Sequence, residues 1–288
     1  MIRIENELLA ISISTKGAEL QSIKNKELNL EYLWGGDPEY WGKHAPVLFP
    51  VVGELKEHTY YYNGKAYNLS RHGFARNMDF ALTDHNSTTA SFELKSNEET
   101  KESYPFEFIL RIQYSLEGNK LVNKYEMVNS GGDTMYFSLG GHPAFNIPLQ
   151  EGTNYNDYYL EFDTAETAPR WPLHEGLIKT HPEEFLHEER RIYLSHNLFA
   201  QDAIVLKHLK SETISLKSKA SRHGLTMNIG GFPYLGIWAA PEAPFVCIEP
   251  WCGIADSLHH NQQLVSKEGI MTLEAGKNWT KAWDVSFF

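Results

Sequence analysis

Three short segments carry the residue types from which a proton-transfer site is built. In Arg71-His72-Gly73-Phe74-Ala75-Arg76 an imidazole stands between two guanidinium groups, beside a glycine that lets other groups come close. The flanking cations favour a neutral ring, fit for hydrogen bonding to hydroxyls. In Leu139-Gly140-Gly141-His142-Pro143-Ala144-Phe145-Asn146, two glycines and a proline impose an unusual backbone around His142 at the end of an aromatic strand, where sites are commonly built. In Phe245-Val246-Cys247-Ile248-Glu249-Pro250-Trp251, alternation places Phe245, Cys247 and Glu249 on one face, so a single carboxylate joins an apolar row just before the chain breaks at proline. Burying an unpaired carboxylate is costly, so Glu249 is either exposed at its strand end or retained for chemistry. The plain alternatives are a surface-loop histidine at His72, one of thirteen in the chain, and a structural turn at His142.

A carboxylate with an ordinary pKa of about 4.3 can take a proton at neutral pH, and an imidazole at about 6.5 can give one, so Glu249 and His142 make a complementary pair. Two histidines and a glutamate are also the ligand set of a non-haem iron facial triad, which would make the protein an oxygenase. The His-x-Asp/Glu adjacency common in such sites is absent around His72 and His142, which favours a metal-free site. Cys247 and Cys252 stand at an odd spacing that on a straight strand sends them to opposite faces, so buried reduced thiols are expected.

The elements that must position these groups are strands. Phe106, Phe108, Leu110, Ile112, Tyr114 and Leu116 alternate with mostly polar neighbours, and Glu117-Gly118-Asn119-Lys120 turns the chain into a second run over 121–128. Asn63-Gly64, between two tyrosine-bearing runs, suits a type I′ hairpin turn. Further strands are predicted at 8–14, 19–23, 90–94, 135–139, 214–216, 235–238 and 245–249. Asp37-Pro38 offers an N-cap and first-turn proline for a single helical turn through Trp41. The acidic stretch 97–102 reads as an exposed turn. Without βαβ alternation the fold class is all-β, with large antiparallel sheets stacked face to face in one domain spanning 1–288. Ser70-Arg71-His72-Gly73 recurs as Ser221-Arg222-His223-Gly224, but the flanks do not match and no repeat follows.

Composition narrows the partners. With 42% hydrophobic residues the chain can bury a substantial core, and a net charge of −11 repels nucleic acid and anionic lipid. The N-terminus lacks the apolar core of a secretory signal, and no apolar run approaches the roughly 18 residues of a membrane span, so a cytoplasmic protein is expected.

Taken together, the segments around His72, His142 and Glu249 resemble the aldose 1-epimerase, or galactose mutarotase, family, and most nearly its LacX-like branch. The resemblance runs over nearly the whole chain. It implies a β-supersandwich fold and a cofactor-independent isomerase acting on a small-molecule sugar, with Glu249 as general base and His142 as general acid. It implies sugar binding by His72 and by an aspartate that falls on Asp202, with Asp157 and Asp163 also in the region. The stretch 46–53 lacks the arginine that galactose mutarotases usually carry before the first histidine, whereas Arg76 matches an arginine that holds phosphate in relatives acting on hexose 6-phosphates. The implied substrate is therefore a hexose or a hexose phosphate. Of Trp34, Trp41, Trp238 and Trp251, which could stack on a pyranose, Trp251 is favoured because it follows Glu249. A carbohydrate-binding relative without turnover is the other reading, set against the acid and base that a mere binder would not need.

Overall fold

The computed structural model describes residues 1–288, almost all of them in strands and the turns that join them. The alternating stretches become antiparallel ladders. Phe108–Glu117 buries every second side chain and pairs with Lys120–Asn129 from Phe108 opposite Asn129 to Glu117 opposite Lys120. These strands belong to a nine-stranded sheet whose order is Glu183–Tyr193, Tyr158–Arg170, Thr213–Ser218, Leu225–Asn228, Asn278–Phe287, Lys120–Asn129, Phe108–Glu117, Thr89–Lys95 and Ala81–His85. A six-stranded sheet runs Ile204–Lys207, Tyr234–Trp238, Phe245–Cys252, Leu139–Gly141 and Val47–Leu48, with Ala144–Asn146 also paired to Phe245–Cys252. The first four strands, from Ile2–Glu5 to Leu30–Glu31, form a smaller sheet of their own.

The two large sheets meet face to face, as the alternation predicts for an antiparallel sandwich. Their contact is visible at Gly141, where a Cβ would come within 2.8 Å of the Trp283 indole nitrogen and 3.0 Å of the Tyr125 hydroxyl from the opposite sheet. One hydrophobic core of 70 buried residues joins the layers. Asn63 and Gly64 both take positive φ (48° and 76°), the signature of the type I′ turn. At Asp37 the carbonyl accepts the N–H groups of Tyr40 and Trp41, closing the single turn read from Asp37-Pro38.

Two local expectations are corrected, and one long strand was not foreseen. Residues 97–102 are not a turn: Glu98–Ser103 is an α-helix, closed by a capping box in which the Asn97 side chain accepts the Thr100 N–H and the Thr100 hydroxyl accepts the Asn97 N–H. The strand read over 135–139 is two strands, Met135–Phe137 paired with Met271–Leu273 and Leu139–Gly141 in the six-stranded sheet, divided where the Ser138 N–H turns to the Pro50 carbonyl. The long strand Tyr158–Arg170 escaped detection because register shifts after Glu161 break its alternation.

The loops beyond the six-stranded sheet are tied together by Asp256. Its N–H donates to the Glu54 carbonyl, its carbonyl accepts the Ile178 N–H, and its carboxylate accepts the Lys56 N–H at 3.0 Å and the buried Lys267 ammonium at 2.7 Å. Burial opposes the charge, but His260, Lys267 and the Lys56 N–H outweigh it and hold the carboxyl down at about 2. Removing one partner of such a pair leaves the other charged, buried and alone. Lys267→Met should therefore lower unfolding stability in urea by about 3–5 kcal/mol, with part of the loss recovered when Asp256→Asn is added.

Candidate active site

Phe245–Cys252 is buried along its whole length and flanked on both sides by strands. On one side its ladder is interrupted between Gly140 and Ala144, where Pro143 has no N–H to give, and His142 sits in that gap. There its Nε2 lies 3.2 Å from Glu249 Oε2, with the two groups not aligned for a normal hydrogen bond. Both side chains are almost fully buried, at 7% and 1% exposure. Trp41 stacks on the His142 ring with centroids 4.8 Å apart and planes 27° apart, and Trp238 meets it edge-on at 5.8 Å.

The two pKa shifts run in opposite directions from one cause. Burial, aided by the charges of Arg71 and Arg76, drives His142 down to about 3. Burial likewise pushes the Glu249 carboxyl well above its ordinary value, with the Arg71 charge and the Trp251 indole N–H working against the shift and Asp202 adding to it. The site therefore favours neutral imidazole beside neutral carboxyl, one proton between them.

His72 is held by its backbone neighbours. Its N–H donates to the Gly53 carbonyl, and the Gly53 N–H donates back to His72 Nδ1 at 3.0 Å, so in the neutral ring Nε2 carries the proton. Burial first, then His142, Arg71 and Arg76, keep this ring well below the ordinary histidine range and therefore neutral. The residue takes φ of 67°, a strained conformation for a side chain with a Cβ, and the next residue must be glycine because a Cβ at Gly73 would lie 2.3 Å from the Phe49 carbonyl oxygen. The stretch 46–53 thus serves the site through its backbone, at Phe49 and Gly53.

These groups open on a cavity of about 240 Å³ that brings together all six residues singled out in the sequence, His72, Arg76, His142, Asp202, Glu249 and Trp251. Asp202, at φ of 75°, accepts the Ala203 N–H and stands 3.6 Å from the Arg71 guanidinium. Arg76 Nη2 donates to the Arg71 carbonyl, forms no ion pair, and leaves its buried Nε without a partner, as does Arg71. Trp251 lies flat over Gly140 and Gly236 of the two neighbouring strands, where a Cβ would come within 2.6 and 2.4 Å of its ring. Asp157 instead caps the turn at Asn154, and neither it nor Asp163 lines the cavity.

Sequence reasoning left out Arg71, which lines the cavity, and favoured Trp251 where Trp41 and Trp238 line it as well; Trp34 does not. The wall formed by Leu173, Gly176 and Ile178 had no motif to announce it. The facial-triad reading meets a different arrangement: ligand atoms within 4.8 Å of one another belong to His142, Cys247 and Glu249, not to His72.

Comparison with known proteins gives this geometry a family. The sequence profile described as Aldose 1-epimerase matches residues 1–282. The plasmid-borne Protein LacX of Lactococcus lactis subsp. lactis is 35% identical over 295 residues, covering 99% of this chain and 98% of that one. Among solved structures, a galactose mutarotase related enzyme from Lactobacillus acidophilus superposes with a TM-score of 0.96 at 37% identity, covering 100% of this chain and 97% of that chain. A galactose mutarotase-like protein from Lactobacillus casei gives 0.94 at 35% identity, with both chains covered completely. The chain belongs to the aldose 1-epimerase family.

Proposed function

We propose that this protein interconverts the α and β anomers of a hexose, free or phosphorylated, with Glu249 as general base and His142 as general acid. The observation that carries the reading is the buried contact of 3.2 Å between the two groups on the wall of a cavity lined by hydrogen-bonding and aromatic side chains. Ring opening needs the C1 hydroxyl proton to move to Glu249 as the C1 carbonyl forms. The C1–O5 bond breaks, and O5 takes a proton from His142. Rotation about C1–C2 and reversal of both transfers closes the ring on the other face. No proton is gained or lost overall, and no cofactor is consumed.

The proton count gives burial a role. Ring opening begins from carboxylate and imidazolium and leaves carboxylic acid and imidazole, the pair that burial favours. The charged pair holds the same single proton, moved across to His142, and the Arg71 charge favours the carboxylate. Low dielectric thus makes the charged pair the costly state that must be reached before ring opening, and ring opening returns the two groups to their favoured neutral form. The Nε2–H of His72 is set to donate to a sugar oxygen and Asp202 to accept from a hydroxyl, while Trp41, Trp238 and Trp251 offer apolar faces to the pyranose. Arg71 and Arg76, each with an unpartnered Nε, suit an anionic substituent. Two free buried thiols fit a reducing, cytoplasmic setting.

Glu249→Gln should lower the rate of anomer exchange, followed by polarimetry, by about 10²–10⁴-fold. The same variant should melt higher than the parent at pH 7. Unfolded Glu249 ionises above about 4.5 while the folded residue keeps its proton, so this group destabilises the fold increasingly as pH rises. A shift of about 2 °C or more that fades toward about pH 4 is expected in thermal melts. The profile of kcat/KM should be flat through the ordinary histidine range. It falls on the acid side as a second proton enters the pair near the depressed His142 value of about 3, and on the alkaline side where Glu249 loses the only proton. An inflection at the ordinary histidine value would contradict the shared-proton account. Arg76→Ala should raise KM for a hexose phosphate at least about tenfold while leaving KM for the free hexose within about twofold, if the substrate is anionic.

A further inference from the structure

Cys247 is the buried nucleophilic group that proton transfer leaves unused. It sits two residues before Glu249 on the same strand and faces the same side, and its sulfur, a His142 nitrogen and a Glu249 oxygen lie within 4.8 Å of one another. All three side chains are buried, at 0%, 7% and 1% exposure. Two of the atoms around this cluster, His142 Nδ1 and Glu249 Oε2, have no hydrogen-bond partner, and the cavity lies open beside them. An imidazole and a carboxylate that each carry an unpartnered atom, converging on a buried thiol, form a ligand set and not merely a packing arrangement.

We propose that His142, Cys247 and Glu249 form an inhibitory site for a thiophilic divalent cation of the zinc type, with its fourth position open to the cavity. The donor set selects the ion. Imidazole and thiolate favour zinc over magnesium or calcium, which seek all-oxygen shells. Zinc bonds of about 2.0–2.3 Å set donor–donor spacings of roughly 3.3–3.8 Å, so atoms that now lie within 4.8 Å of one another must draw together by up to about 1 Å, a change taken up by side-chain torsions. Charge closes as well. The ion displaces the thiol proton and the proton shared by Glu249 and His142, both leaving to solvent, and its two positive charges are balanced by one thiolate and one carboxylate. Burial that disfavours each anion alone does not disfavour the neutral assembly. His72 stays outside the set because its Nδ1 accepts the Gly53 N–H and its Nε2 carries a proton.

With the ion in place the Glu249 carboxylate is neutralised by the metal and loses its basicity toward the C1 hydroxyl, and His142, bound through its ring nitrogen, has no proton to give to O5, so zinc and sugar exclude one another. The inhibition rests on the anomerase reading, whereas the binding does not, and the two are separable by experiment. Cadmium, a spectroscopic substitute for zinc, should give an ultraviolet thiolate charge-transfer band with the wild-type protein in the absence of sugar, and no band with Cys247→Ser or Cys247→Ala. Zinc should abolish anomer exchange reversibly, competitively with sugar and with recovery on chelation. Both variants should keep the basal rate and be at least about tenfold less sensitive. No band in the wild type, or zinc sensitivity unchanged in both variants, would overturn the site. A cadmium band in a wild-type protein that does not accelerate anomer exchange would leave the metal site standing and remove the anomerase reading instead.

Discussion

The contact between Glu249 and His142 works because water is kept from it. Trp41 covers one face of the imidazole, Trp238 abuts its edge, and the strand that carries Glu249 is buried throughout. In water the two groups would titrate separately and the carboxylate would be ionised long before the imidazole. Desolvation pulls both toward neutrality and leaves them holding a single proton between them. In the reaction we propose, acid and base exchange roles within one turnover, and such a pair serves it well because neither group has to equilibrate with solvent between ring opening and ring closure.

Much of the surrounding architecture can be understood as what keeps this contact in place. Gly140 and Gly236 flank the Glu249 strand and leave the space that the Trp251 indole fills, so larger residues there would displace the ring beside the carboxyl. Gly53 fixes the tautomer of His72 through its own N–H, and Gly53 in turn packs against Ala255, next to the Asp256 carboxylate that gathers Lys56 and Lys267. Positive φ at His72 and Asp202 shows the same priority, since both conformations are unfavourable for residues with a Cβ and both belong to side chains that face the cavity. A buried neutral carboxyl, strained backbone and orphaned guanidinium nitrogens all reduce the stability of the fold. The large shared core supplies the margin that tolerates them.

The sequence made the architecture legible wherever alternation was clean, as in Phe108–Glu117, and hid it wherever bulges broke the pattern, as in Tyr158–Arg170. It pointed to the His142 and Glu249 segments through local physics alone: a Gly-Gly-His-Pro turn that interrupts a ladder, and a carboxylate in an apolar row. Alternation also placed Cys247 on the Glu249 face, although nothing local gave that thiol a neighbour. What no local pattern contained were the long-range encounters, such as Trp41 arriving from residues far upstream to stack on His142, or Asp202 meeting Arg71. Arg71 was visible only as a flank of His72, because whether a guanidinium lines a cavity depends on which way the loop turns, and that is set by Gly53 and Phe49 in another segment.

The shared proton is the feature on which the proposed mechanism turns, and it can be counted directly. With 13C-labelled glutamate and 15N-labelled histidine, NMR titration of the ligand-free protein reports the protonation of Glu249 and His142 as a function of pH. The account predicts a protonated carboxyl beside a neutral imidazole throughout the neutral range, with His142 gaining a second proton only toward its depressed value of about 3. A Glu249 that ionises near its ordinary value while His142 titrates independently near about 6.5 would contradict it, and with it the claim that desolvation holds one proton between the two groups.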